Sequence, residues 1–278
     1  MAGARLAPAS GRSKAGRRRI KAVLFDYGGT LFKATKPWDE VRAEGLAAAR
    51  EALRKSGAEV ELERLVETTA AVFKRYAEVE AKEDKDIADR IKYGEVIDEL
   101  FPDLSKAKRA ALASKVNKAF WDTATKRYPL RKGARETLEA LRSAGVMMAV
   151  VSNHHNYESL VGHLRESGIH GHFQVILASE REGVRKPNPA MFARSLRALG
   201  VEKDEALFVG DSPKHDIVGA RASGITTVLI DDGERPDSWV LVGEALGPEG
   251  EPDYVIRELK AVRDVVESTH RGRRKRRI

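Results

Sequence analysis

The chain has 278 residues, 42% of them apolar and 33% charged, which is enough to bury one sizeable core and a smaller second one. With no cysteine, disulfides, thiolate metal sites and a cysteine nucleophile are excluded, and chemistry falls to carboxylates, hydroxyls, Lys and His. No apolar run approaches the roughly 20 residues that cross a bilayer, and the Arg-rich first residues lack the apolar stretch of a secretory signal, so a soluble cytoplasmic protein without a membrane partner is expected.

The formal charge of +8 belongs to the two ends. Residues 1–20 carry Arg5, Arg12, Lys14, Arg17, Arg18 and Arg19 and no acid, and Arg271, Arg273, Arg274, Lys275, Arg276 and Arg277 close the chain. Together these cations exceed the net charge, so the body between them is mildly acidic. The reading is a disordered basic arm (1–20) and a basic tail (269–278) on an acidic domain, and not a nucleic-acid-binding surface. Abundant charge, a single Gln at position 174 and the missing Cys match heat-adapted composition.

Ala22 to Phe25 is a continuous apolar run that stops at Asp26 and a Gly pair, the pattern of a buried parallel strand ending in a sharp turn. Amphipathic helices are predicted next, over Trp38 to Lys55, Glu61 to about Lys82, Ile87 to Leu100 and Lys106 to Lys126, separated by Ser56-Gly57 and Pro102. After Pro129 helix and strand alternate. Ala134 to Ser143 reads as helix, and Val146 to Val151, Val175 to Leu177, Ala206 to Val209, Thr226 to Ile230 and Tyr254 to Ile256 as strands. The fold class is α/β: a Rossmann-like three-layer parallel sheet, built from 21–32 and 128–268, with an α-helical cap domain inserted over 33–127.

Reactive groups of parallel sheets gather beyond the carboxyl ends of the strands. Four such places carry candidates: Asp26 in DYGGT, Ser152 in VVSNHH, Lys186 in GVRKPNP, and Asp211 with Asp216 in FVGDSPKHD. Alone, each has a bland alternative, since an Asp after a strand often only shapes a turn or caps a helix and a Lys before Pro can be a solvated loop charge. In this order the four resemble the signature motifs of the haloacid dehalogenase superfamily, over about residues 21 to 260.

The chemistry they suit is phosphoryl transfer, which depends on positioning and on positive charge around a spread anion. Asp26 is the candidate nucleophile, approachable because Gly28 and Gly29 leave the backbone bare. Asp26 and Asp211 are candidate Mg²⁺ ligands, and the resemblance implies the Gly28 carbonyl as a third. Asp216 would ligate or stand just behind the ion, holding water or Lys186. Ser152, Asn153 and the 27–29 turn would donate hydrogen bonds to phosphate, Lys186 would supply point charge, and Thr30 would cap the turn and orient Asp26. His154 and His155 are weaker candidates for substrate contact or proton transfer. Cap residues Arg42, Arg75, Lys82, Arg90 and Lys92 are candidates for substrate recognition, although most such charges face solvent.

One position departs from the resemblance. Phosphatases of the superfamily carry a second Asp two residues after the nucleophile, as general acid and base, and here that residue is Gly28. Such a group contributes about 10² to 10⁴ in rate. The sequence therefore points to a phosphohydrolase acting on a small phosphorylated metabolite with a good leaving group. Dehalogenation, whose halide leaves without a proton, and a catalytically weak phosphate-binding role are the alternatives. An actin-like sugar kinase shares only DYGGT, and no G-x-x-x-x-G-K-[ST] run or G-x-G-x-x-G after the first strand is present.

Overall fold

Strand β1 (Ala22–Phe25) is buried at all four residues because it lies inside a sheet covered on both faces. The computed structural model describes residues 19–83, 85–233 and 246–271, so most of the basic arm and basic tail lie outside the described residues. The sheet has six strands in the order β3-β2-β1-β4-β5-β6. The others are β2 (Met147–Ser152), β3 (Val175–Ala178), β4 (Ala206–Gly210), β5 (Thr226–Ile230) and β6 (Tyr254–Ile256), and every pairing is parallel.

The two-residue period of the strands divides their side chains between two layers. Val23, Phe25, Met148, Val150, Leu207 and Val209 pack with Leu138, Leu160 and Val265. These last come from helices α5 (Ala134–Ser143), α6 (Tyr157–Glu166) and α10 (Ala261–Arg271). Ala22, Leu24, Ala149 and Phe208 pack on the opposite face with Met191, Phe192 and Ala220. Those belong to α8 (Pro189–Leu199) and α9 (Val218–Ala222), while the short α7 spans Ser179–Glu182.

Between β1 and β2 stand α1 (Trp38–Lys55), α2 (Leu62–Glu83), α3 (Asp89–Leu100) and α4 (Lys106–Thr125). They close on a core of their own, including Leu46, Leu53, Leu65, Tyr93, Ile97 and Phe120. Gly45 lets α1 approach α4, since a Cβ there would stand 2.6 Å from the Phe120 ring. Helix α4 starts where Ser105 accepts a hydrogen bond from the Lys108 amide, 3.3 Å away. Helix α3 begins two residues later than its periodicity predicts. The Ile87 amide is taken by Glu80 Oε1 at 2.9 Å and the Asp89 amide by the His155 carbonyl at 3.2 Å, so tertiary bonds replace the expected first turn.

The helical block joins the sheet through two adjacent connections. The Lys33 amide donates to the Pro129 carbonyl at 3.1 Å and the Thr35 amide to the Arg127 carbonyl at 2.9 Å. No helix among the described residues is long and apolar enough to cross a membrane.

Candidate active site

The in-register pairing of β1 with β2 and β4 sets Phe25 level with Val150 and Val209, so the residues following these strands meet at one rim of the sheet. Asp26 leaves β1 there, its amide held by the Val209 carbonyl at 2.9 Å. The turn after it closes through the Gly29 amide on the Phe32 carbonyl at 2.7 Å. Gly29 has φ 82°, and a Cβ would lie 2.0 Å from Asp211 Oδ2, so only glycine fits beside that carboxylate. Gly28 differs: a Cβ there would meet no heavy atom within 4 Å, and its backbone lines the cavity described below.

Lys186 is the hub. Its buried ammonium donates to Asp26 Oδ1 at 2.6 Å and to Asp216 Oδ1 at 2.7 Å. The backbone around it is clamped by Asn153, whose Oδ1 accepts from the Lys186 amide at 2.7 Å and whose Nδ2 donates to the Lys186 carbonyl at 2.9 Å. Asp216 is fixed in turn, because its Oδ2 accepts the Ser212 amide at 2.9 Å. Asp26, Asp211 and Asp216 each offer an oxygen, all within 4.8 Å of one another.

Three carboxylates beside one ammonium leave negative charge uncompensated. Burial pushes Asp26 up to about 6 against the pull of Lys186. Burial, with the charges of Asp26 and Asp216 added, raises Asp211 well above the ordinary carboxylate range. Burial alone would lower Lys186, but Asp216 and Asp26 outweigh it and hold the ammonium charged.

The structure brings Asp26, Gly28, Ser152, Asn153, His154, Lys186, Asp211 and Asp216 to one cavity of ≈ 300 Å³ between the sheet rim and the helical block. Thr30 departs from its expected part. It is buried, and its hydroxyl reaches Asp211 Oδ1 at 3.5 Å instead of Asp26. His154 is buried with its ring 4.5 Å from that of Trp121, and its Nδ1 accepts from the Asn156 amide at 3.1 Å. Burial, then the neighbouring charge of His155, lowers it to about 3, and with Nδ1 accepting, the ring proton of the neutral form sits on Nε2. His155 Nδ1 lies 3.0 Å from Asp86 Oδ1.

Cap cations expected near substrate lie elsewhere. Arg75 pairs with Glu95 and Glu99, Lys92 is buried against Glu80, and Arg90 faces Glu180. Neither Arg42 nor Lys82 borders the cavity. Its cap wall is Trp38, Trp121, Ala124, Thr125 and Tyr128. Helical periodicity assigns Trp121 to a core as readily as to a cavity, which is why the sequence did not single it out. Arg131 was equally silent. It donates through Nε to the Thr30 carbonyl at 3.0 Å, through another nitrogen to the Gly29 carbonyl, and through Nη1 to Asp232 Oδ2 at 2.7 Å. His215, whose Nδ1 lies 3.2 Å from Ser212 Oγ, also borders the cavity.

A buried lysine caged by acids at the rim of a parallel sheet, under an inserted helical block, defines an α/β enzyme. The family model for haloacid dehalogenase-like hydrolases matches residues 20–224, and the chain belongs to that family and is a hydrolase. It is 31% identical to the glyceraldehyde 3-phosphate phosphatase of Methanopyrus kandleri over 89% of this chain and 97% of that one. It is 36% identical to the phosphoserine phosphatase of Thermus thermophilus over 140 residues, about half of each protein (49% of this chain, 51% of that one). The crystal structure of a 2-haloacid dehalogenase from Pseudomonas syringae superposes with a TM-score of 0.68 at 22% identity, covering 90% of this chain and 99% of that one, which shows the shared fold.

Proposed function

We propose that the protein is a Mg²⁺-dependent phosphohydrolase of small phosphorylated metabolites, working through an aspartyl phosphate on Asp26, with residues 33–127 as the cap that covers the site. One observation carries the reading: the Lys186 ammonium bonds both Asp26 and Asp216 at the foot of a cavity where Asp211 completes a three-carboxylate cluster. The phosphatase relatives support the same chemistry.

The residues present fit the ion. Their side-chain donors are all oxygen, as a hard cation requires, and they carry more negative charge than Lys186 balances. Asp26 and Asp211, with the Gly28 carbonyl, would hold it, and Asp216 would bind it or fix Lys186 behind it. Bound there, the ion would neutralise charge between phosphate and nucleophile and orient the phosphoryl group.

The chain's own residues do the rest. Asp26 attacks phosphorus in line, forming a carboxyl O–P bond as the bond to the leaving oxygen breaks with its electron pair. Ser152, the Asn153 backbone amide and the amides of Tyr27 and Gly28 donate to the phosphoryl oxygens, the Gly29 amide being taken by the Phe32 carbonyl, and Lys186 holds Asp26 in its attacking position. Water then cleaves the acyl phosphate, releasing inorganic phosphate and restoring Asp26. No carboxyl at position 28 hands a proton to the departing oxygen, so substrates whose leaving group is stable as an anion are favoured.

Asp26→Asn should abolish Mg²⁺-dependent hydrolysis of p-nitrophenyl phosphate, and full activity in that variant would overturn the assignment. A haloacid control runs beside it, because a missing acid also suits halide release. Chloride released without metal, with no phosphate released, would replace this reading by dehalogenation.

A further inference from the structure

We propose that the leaving group is uncharged and presents a flat apolar face to Trp38 and Trp121, so that a second anionic group on the substrate is rejected. The inference rests on the phosphatase reading and deepens it from reaction class to substrate class.

The cavity has two ends of opposite chemistry. Its floor holds the charged groups already described, and its cap wall is Trp38, Trp121, Ala124, Thr125 and Tyr128. Thr125 turns its hydroxyl back to the Trp121 carbonyl at 2.9 Å, leaving its methyl as the group it can offer a ligand. Among the described residues, Lys186 is the one Lys or Arg that lines the cavity, and its ammonium already serves Asp26 and Asp216 at 2.6 and 2.7 Å. His154 is held neutral by burial, and Arg75, Arg90 and Lys92 are paired with acids outside the cavity. His155, which also lines the cavity, is paired with Asp86 at 3.0 Å, so a carboxylate or second phosphate on the leaving group would be desolvated with no unpaired Lys, Arg or His cation among the described lining residues to meet it, close to three carboxylates.

Trp38 gives the second line of argument. It is 45% exposed at the first position of α1 although it borders the cavity, and its ring centroid lies 6.3 Å from that of Trp121. A large apolar ring left partly in water beside a reactive site is a surface for a ligand's apolar face. Trp121 is better fixed, with its Nε1 donating to Asp89 Oδ2 at 3.1 Å and its ring against His154. The cavity volume of ≈ 300 Å³ is at the small end for ligand sites, so the leaving group is about the size of one ring.

The test compares phenyl phosphate with 4-carboxyphenyl phosphate and glycerol phosphate, with Mg²⁺ present. The carboxylate slightly improves the phenol as a leaving group, so chemistry alone would favour the carboxy compound. We expect kcat/KM for phenyl phosphate to exceed that for 4-carboxyphenyl phosphate about tenfold or more. Trp38→Ala, at an exposed position where folding is safe, should lower the phenyl phosphate value about tenfold and narrow its advantage over glycerol phosphate. Equal or reversed preference, or a loss in Trp38→Ala that is the same for all three substrates, would overturn the proposal. Calorimetric binding of phenylphosphonate against 4-carboxyphenylphosphonate reads the same preference without turnover. Tighter phenylphosphonate binding without hydrolysis would leave this inference standing and remove the phosphatase reading. Hydrolysis of all three substrates without preference would do the reverse.

Discussion

Gly28 stands where the motif resemblance implies an acid, and the space beside it is open, with nothing within 4 Å of a Cβ. Gly28→Asp should therefore be accepted without strain and supply a proton to alkyl leaving groups. Its kcat/KM for glycerol phosphate should rise more than for p-nitrophenyl phosphate, by up to the roughly 10² that a general acid contributes. An unchanged ratio would show that another cavity residue already acts as the acid. The neighbouring glycine behaves oppositely. Gly29→Ala drives a methyl into Asp211, 2.0 Å away, at a φ of 82° that side chains rarely adopt. It should cost about 1–3 kcal/mol in chemical denaturation and most of the activity. Asp26 and Asp211 stand out in the sequence because each directly follows an apolar strand, whereas Lys186 and Asp216 stand out only through the order of the motifs that contain them. Arg131 does not, because its work is done on the carbonyls of Gly29 and Thr30, which leave no mark in local pattern.

At the scale of elements, the seam between α3 and the loop after β2 is built from ionisable groups. Asp86, Asp89, Lys92 and Glu80 stand on the helical side, with His155 and His154 facing them. Asp89 has one oxygen bonded by Trp121 and the other buried without a hydrogen-bond partner, 3.7 Å from Lys92 Nζ. Burial raises it from 3.8 to about 6. An acid with a raised folded value favours the folded state below its unfolded pKa and loses that contribution as pH rises through the folded value. Burial would lower His155, yet the close Asp86 carboxylate and the charge of Asp89 raise it, so its contribution is complete below about 6.5 and lost above its folded value. Asp86 runs the other way: burial would raise it, but His155 holds it below its ordinary value, and its contribution disappears only in acid. Thermal stability should decline from about pH 4 to pH 6 as Asp89 ionises, and again above about pH 6.5 as His155 loses its proton. Asp89→Asn should stabilise at pH 8 by up to about 3 kcal/mol, the worth of a shift of about two units, by about half of that at pH 5 and by little at pH 4. A uniform effect across that range would show that the carboxylate does not titrate in the fold. Within the helical block, Gly45→Ala sets a gain of about 1 kcal/mol in helix propensity against overpacking of about 1–3 kcal/mol on Phe120. A net loss of about 1 kcal/mol is expected in denaturant titration, and a gain would mean that the ring swings aside.

For the whole molecule, the excess of carboxylates predicts coupling between ion and stability. At a Mg²⁺ concentration 100 times the dissociation constant, the folded state should gain about 2.7 kcal/mol, read as a rise in Tm that chelation reverses. Asp211→Asn should remove the rise, and an equal rise in that variant would place the ion elsewhere. The division into a parallel sheet and an inserted helical block was readable because strand and helix periods differ and change at Pro129. The chemistry of the cap wall was not. Arg42 and Trp121 both sit on amphipathic helices, and only packing decides that Trp121 borders the cavity while Arg42 does not.

The two segments that lead into and out of that block leave the sheet side by side, bonded through Lys33 to Pro129 and Thr35 to Arg127. To the catalytic layer the whole insertion is thus a single elongated loop whose ends nearly touch. The insertion point lies on the chain between Asp26 and the strands that follow, so the same short neck that carries the block also leaves the nucleophile's turn in place. Beyond that neck, the block meets the catalytic layer only through noncovalent contacts such as the Asp89 amide on the His155 carbonyl.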